Sequence, residues 1–127
     1  MSRKILVVDD EESVRKSFLL ALETSGYRVD TAPAGEEGVA MFEKESYDLV
    51  YLDLKMPGID GVETLKRIRA LNGDVPVYIV TAFHREFFDS LCGARKEDLS
   101  FELLRKPVER DQIIRITRGI LEGAEAL

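Results

Sequence analysis

Cysteine is nearly absent, with Cys92 the single one in 127 residues. One thiol closes no internal disulfide, and with one histidine, His84, no CxxC or Cys/His cluster offers a zinc site. A reducing, cytoplasmic setting is the expectation that follows. Long apolar runs are missing too, so no segment has the length to span a bilayer. The opening MSRKILVVDD reaches acidic residues too soon for a signal peptide. There is no basic surplus: the formal net charge is -6, which argues against direct nucleic-acid binding and leaves acids free to gather around a cation. Repeats, low-complexity segments and linkers are also absent, so residues 1–127 read as one domain. At 45% hydrophobic and 33% charged residues, that length can bury a core without staples.

Short apolar runs alternate with helix-like stretches. Lys4 to Val8 is a buried-strand pattern ending at Asp9 and Asp10. From Glu12 to Thr24, Val14, Phe18, Ala21 and Leu22 share one helical face, and Gly26 permits the left-handed turn that closes the helix. Tyr27 to Ala32 is a more polar strand, suited to an edge. Gly35 to Lys44 is helical with Val39 and Phe42 inward, and Asp48 to Leu52 is a third strand ending at Asp53. Pro57, Gly58 and Gly61 mark a loop, and Asp60 is a candidate N-cap for a helix carrying Val62, Leu65 and Ile68. Val75 to Val80 is a fourth strand, with Pro76 near its start. Phe83 to Cys92 reads as helical on a short stripe of Phe87, Phe88 and Leu91. Arg95 to Ser100 reads as a charged loop or an extra helical turn, and Phe101 to Leu104 as a fifth strand. After Pro107 a last helix sets Ile113, Ile116 and Ile120 on one side. This alternation predicts an α/β fold: a doubly wound, five-stranded parallel sheet of flavodoxin-like order 2-1-3-4-5 with five helices.

In such a sheet Asp9, Asp10, Asp53, Thr81 and Lys106 all fall at carboxyl ends of strands, the edge where open α/β sheets bind ligands. Strands one and three are neighbours in that order, so the three aspartates should crowd together. Crowded carboxylates resist ionising together, and Mg²⁺, which takes oxygen ligands and keeps several waters, relieves the repulsion. A hydroxyl and an ammonium beside them can hold phosphoryl oxygens, and a carboxylate can be the nucleophile that forms an aspartyl phosphate. Taken singly, each residue has an ordinary reading. The acids of Asp9 and Asp10 suit a helix start. Asp53 suits a turn, Thr81 an N-cap and Lys106 solvent. Four strands delivering them to one edge favour the joint reading. Elsewhere His84 reads as solvated, Cys92 as a packed small side chain, and the pairs Glu11/Glu12 and Arg67/Arg69 as solvated faces. Phe83, Phe87 and Phe88 read as partial core packing more than as an interface.

Four motifs in order resemble the response-regulator receiver family: VVDDE around Asp9 and Asp10, DLVYLDLKMPGIDG from Asp48 to Gly61, VTA from Val80 to Ala82, and RKP from Arg105 to Pro107. The resemblance covers nearly the whole chain. It implies Asp53 as phosphoacceptor, with Asp10 binding Mg²⁺ directly, Asp9 through water and Lys55 through its carbonyl. It implies that Thr81 follows the phosphoryl oxygen and that Lys106 pairs with its charge. It implies a histidine kinase or histidine phosphotransfer protein as donor. The implied output surface is the face of helix four, strand five and helix five, used toward an effector domain, a partner protein or a second copy. The side chains flanking the path of hydrolytic water would be Lys55 and Phe83.

The sequence departs from the family pattern in three places. Leu103 stands where the family often has Tyr or Phe as a rotamer switch, with Phe101 two residues earlier. The stretch from Thr81 to Lys106 is longer than usual, near RKEDLS. Val108 replaces a common Phe after Pro107. A haloacid-dehalogenase-type enzyme would need a second acid where Lys55 stands, and a flavodoxin-like carrier would not place Asp9, Asp10 and Glu11 in its phosphate loop. The expectation is a signalling phosphoacceptor and not a turnover enzyme. The alternative is a receiver-like interaction module that is not phosphorylated.

Overall fold

The computed structural model describes residues 3–82 and 85–126. The elements run β1 (Lys4–Val8), α1 (Glu12–Ala21), β2 (Arg28–Ala32), α2 (Gly35–Lys44), β3 (Leu49–Asp53), α3 (Gly61–Leu71), β4 (Val77–Thr81), a 3-10 turn (Arg85–Phe87), α4 (Phe88–Lys96), β5 (Glu102–Arg105) and α5 (Arg110–Ala126). The strands form one sheet in the order β2-β1-β3-β4-β5, and every pairing is parallel. This is the expected doubly wound architecture, with β2 at an edge.

Helices cover both faces, so the inner strands are apolar on both sides. One face joins Leu6, Val8, Val50, Leu52 and Ile79 to Phe42, Leu65 and Ile68 of α2 and α3. The other joins Ile5, Val7, Leu49 and Tyr51 to Phe18 of α1 and Ile113 of α5. There the rings of Phe18 and Tyr51 lie 4.7 Å apart, and the Tyr51 hydroxyl meets that of buried Thr117 at 2.7 Å. Burial pushes the Tyr51 phenol up to about 12, so it stays a neutral hydrogen-bonding group.

Element ends moved where polar side chains compete for backbone groups. Helix α1 stops at Ala21 and not Thr24, because Ser25 donates its hydroxyl to the Leu22 carbonyl and Gly26 turns left-handed at φ 85. Strand β4 starts at Val77 and not Val75, because Pro76 has no N–H and the Val75 N–H goes to the Asn72 side chain. Asp60 caps α3 as expected, accepting from the Glu63 N–H at 2.9 Å.

The segment between β4 and β5 departs most from expectation. The helix expected from Phe83 to Cys92 is the 3-10 turn followed by α4, which ends at Lys96. Phe83 and His84 lie outside the described residues. Phe87 and Leu91 pack on the core with Ala94, while Phe88 is 65% exposed, so the inward stripe is Phe87, Leu91 and Ala94. RKEDLS divides: Arg95 and Lys96 finish α4, and Asp98 turns the chain at φ 61. The Arg95 guanidinium lies 4.2 Å over the ring of buried Phe101. Arg69, expected on a solvated face, is partly exposed, and its guanidinium donates twice to the Ser100 carbonyl.

Candidate phosphoacceptor site

The site is built by the ends of β1, β3, β4 and β5. Parallel pairing carries Asp53 out beside Val80, and the Lys106 N–H donates to the Thr81 carbonyl at 2.8 Å, which brings the residue after β5 to the same edge. Asp9 is fixed from both sides. Its N–H donates to the Ala32 carbonyl at 3.0 Å, and its own carbonyl accepts from the Arg15 guanidinium at 2.9 Å. The loop after β3 folds back on the acceptor strand through Gly61, whose N–H donates to the Leu54 carbonyl. A Cβ at Gly61 would lie 2.5 Å from the Asp53 carbonyl oxygen, so only glycine permits that approach.

Asp9, Asp10 and Asp53 each offer a carboxylate oxygen, and these all lie within 4.8 Å of one another. Asp9 and Asp53 are buried, and Asp10 is exposed. The Lys106 ammonium sits among them, 3.1 Å from Asp53 Oδ1 and 3.3 Å from Asp9 Oδ2. It also reaches Glu11 Oε1 at 3.6 Å. Glu11, expected to be merely solvated, is therefore part of the charge cluster. Only tertiary placement brings Lys106 near it. Thr81 is buried at the end of β4. Asp10, Glu11, Asp53, Lys55, Met56, Pro57, Ala82 and Lys106 line a cleft of about 610 Å³.

Burial, then the charge of Asp9, pushes the Asp53 carboxyl up to about 7 against the pull of Lys106. Asp9 is raised as well, by burial first, although the Glu11 N–H and Lys106 oppose it. Burial works against the Lys106 charge, but the hydrogen bond and charge of Asp53 and then of Asp9 outweigh it, so the ammonium is held above the usual lysine range. Two buried carboxylates with one ammonium leave uncompensated negative charge. All the clustered donors are hard oxygens, the set that suits Mg²⁺. Leu103 is 48% exposed, whereas Phe101 is buried against the cluster that includes Ala94 of α4. Phe83, expected beside the cleft, lies outside the described residues.

The family model described as "Response regulator receiver domain" matches residues 5–118. The chain belongs to the response regulator receiver domain family. A solved CheY-like receiver domain protein from Methanospirillum hungatei JF-1 is 25% identical with a TM-score of 0.85, covering 99% of this chain and 98% of that one. A receiver domain protein from Clostridium thermocellum is 34% identical with a TM-score of 0.78, covering 98% and 99%. The alkaline phosphatase synthesis transcriptional regulatory protein PhoP of Bacillus subtilis (strain 168) is 38% identical over 98% of this chain, which spans 51% of that relative's length. As a receiver, the chain is a phosphoacceptor module of two-component signalling and not a turnover enzyme, and its acidic cluster is the family's Mg²⁺ site. The partner class of the family is the histidine kinase or phosphotransfer protein. No helix among the described residues is long and apolar enough to cross a membrane.

Proposed function

We propose that this receiver takes a phosphoryl group onto Asp53. The observation that carries the reading is the Lys106 ammonium held 3.1 Å from Asp53 and 3.3 Å from Asp9 at the floor of an open, acid-lined cleft. An Asp53 oxygen forms the new bond to phosphorus. The bond to the donor imidazole of a histidine kinase or phosphotransfer protein breaks, and the nitrogen keeps the electron pair. Catalysis then needs positioning and charge neutralisation. Lys106 and Thr81 hold phosphoryl oxygens. Asp10, Asp53 and the Lys55 carbonyl would hold Mg²⁺, with Asp9 acting through water, and the ion would supply the remaining positive charge. Asp10 suits direct contact because it is exposed, whereas Asp9 is committed to Lys106 and to the Glu11 N–H at 2.9 Å.

The output follows from where packing is thin. Thr81 moving toward the phosphoryl group has no inward ring on β5 to answer it, since Leu103 is exposed. The response is a modest rearrangement between the 3-10 turn and Phe101. It reaches the α4-β5-α5 face, where an effector domain, a partner protein or a second copy docks. We place residues 1–127 as one receiver unit of a cytoplasmic regulator, with no direct contact to nucleic acid or membrane.

Acetyl phosphate with Mg²⁺ should add one base-labile phosphoryl group by intact mass, and Asp53→Asn should remove it. Full labelling of Asp53→Asn sinks the assignment. No labelling of the parent leaves the interaction-module reading. In Mg²⁺ titrations, Asp10→Ala should lose more affinity than Asp9→Ala, and equal losses would contradict the ligand roles.

A further inference from the structure

Four contacts fix Asp9. Its N–H donates to the Ala32 carbonyl at 3.0 Å, and its Oδ1 accepts from the Glu11 N–H at 2.9 Å. Its Oδ2 meets the Lys106 ammonium at 3.3 Å, and its carbonyl accepts from the Arg15 guanidinium at 2.9 Å. The first three come from the sheet, from the turn itself and from the cleft. The fourth comes from α1, where the Arg15 N–H is already bonded to the Glu11 carbonyl at 3.1 Å. Glu11 stands at the N-cap of α1 without a side-chain cap bond, so the turn from β1 into α1 lacks that means of closure. Arg15 supplies another, reaching back six residues from inside the helix.

This bond bears on Asp10. The carbonyl of Asp9 and the N–H of Asp10 belong to one planar peptide, so fixing the carbonyl sets the direction in which the chain enters Asp10. Lys106 holds the carboxylates of Asp9 and Asp53, whereas Asp10 is exposed and takes its direction from that peptide. We propose that Arg15 is a positioning residue for the Mg²⁺ site: its guanidinium holds the Asp9–Asp10 peptide so that the Asp10 carboxylate stays within 4.8 Å of those of Asp9 and Asp53. The inference rests on the reading of Asp10 as a direct Mg²⁺ ligand. The charge of Arg15 works the other way, since a cation near the acidic cluster repels a second cation. Orientation and charge therefore predict opposite signs when the guanidinium is removed.

The experiment is a Mg²⁺ titration of the full, unphosphorylated chain, read from the amide shifts of residues 9–11 and 53–55. The parent is compared with Arg15→Met, Arg15→Lys and Asp10→Ala, and urea unfolding in chelator is measured for each. Methionine keeps an unbranched stem and loses every donor, so Arg15→Met should weaken Mg²⁺ binding about fivefold, the scale of one net hydrogen bond. Arg15→Lys keeps a donor on a long stem and should bind within about twofold of the parent. If Arg15→Met does not fold in chelator, Arg15→Gln, whose amide ends short of the Asp9 carbonyl, carries the same comparison. Binding equal to or tighter than the parent's in the variant without the donor overturns the inference, even where unfolding shows lost stability. Arg15→Lys as weak as Arg15→Met overturns it as well. A parent that binds no Mg²⁺, or Asp10→Ala binding as the parent does, removes the ligand reading of Asp10 and the inference together.

Discussion

The carboxyl edge of β1 and β3 and the segment from the 3-10 turn to β5 are built in opposite ways. Every residue of β3 is buried, and its carboxylate is fixed against an ammonium and a second buried acid. Helix α4 fully buries only Ala94, β5 only Leu104, and Phe88 and Leu103 face solvent. The first region can hold charges in place because dense packing leaves them no alternative arrangement. The second can move because few buried contacts resist it. A site that must be ready before its substrate arrives, coupled to a surface that must change afterwards, needs both kinds of packing in one small fold.

The largest test of that contrast is a truncation in the densely packed region. Phe18→Ala, beneath the acceptor strand, should cost about 3–5 kcal/mol in urea unfolding. A loss below about 1 kcal/mol would mean the supporting region is not the rigid one. Next, Lys106→Met strands two buried carboxylates, so it should destabilise the metal-free chain by about 2–3 kcal/mol at pH 8. Mg²⁺ should restore much of this, and a loss indifferent to Mg²⁺ would separate the lysine from the acid cluster.

A smaller effect sharpens the electrostatics. With its carboxyl raised to about 7, folded Asp53 keeps a proton that the unfolded chain has released from about pH 4 upward. That contribution stabilises the acid side and is lost as pH rises through about 7. Asp53→Asn cannot ionise, so in chelator its stability relative to the parent should grow between pH 5 and pH 8, on the order of 1 kcal/mol. Parallel pH curves would show that Asp53 ionises freely. The smallest effect lies on the loose side: Phe88→Ala should change unfolding by within about 0.5 kcal/mol, and a loss near that of Phe18→Ala would erase the contrast.

Legibility followed the same division. The strand order and the convergence of Asp9, Asp10, Asp53, Thr81 and Lys106 could be read from apolar runs that each end at a reactive residue. The segment after Thr81 could not, because Phe87, Phe88 and Leu91 give no periodicity that says which ring turns inward. Packing against Ala94 and the core selected Phe87 and left Phe88 in water.

The sequence by itself determined the alternation of strands and helices, and so the edge at which five reactive residues meet. Period and strand-end position are local properties, and parallel crossovers have one favoured hand. Tertiary structure alone decided how the charges are shared. Glu11, Asp9 and Asp53 meet one ammonium, and Lys55 meets Glu86, because residues far apart in sequence arrive within about 4 Å of one another. Coulomb energy depends on that separation and on burial, neither of which is written in the order of residues.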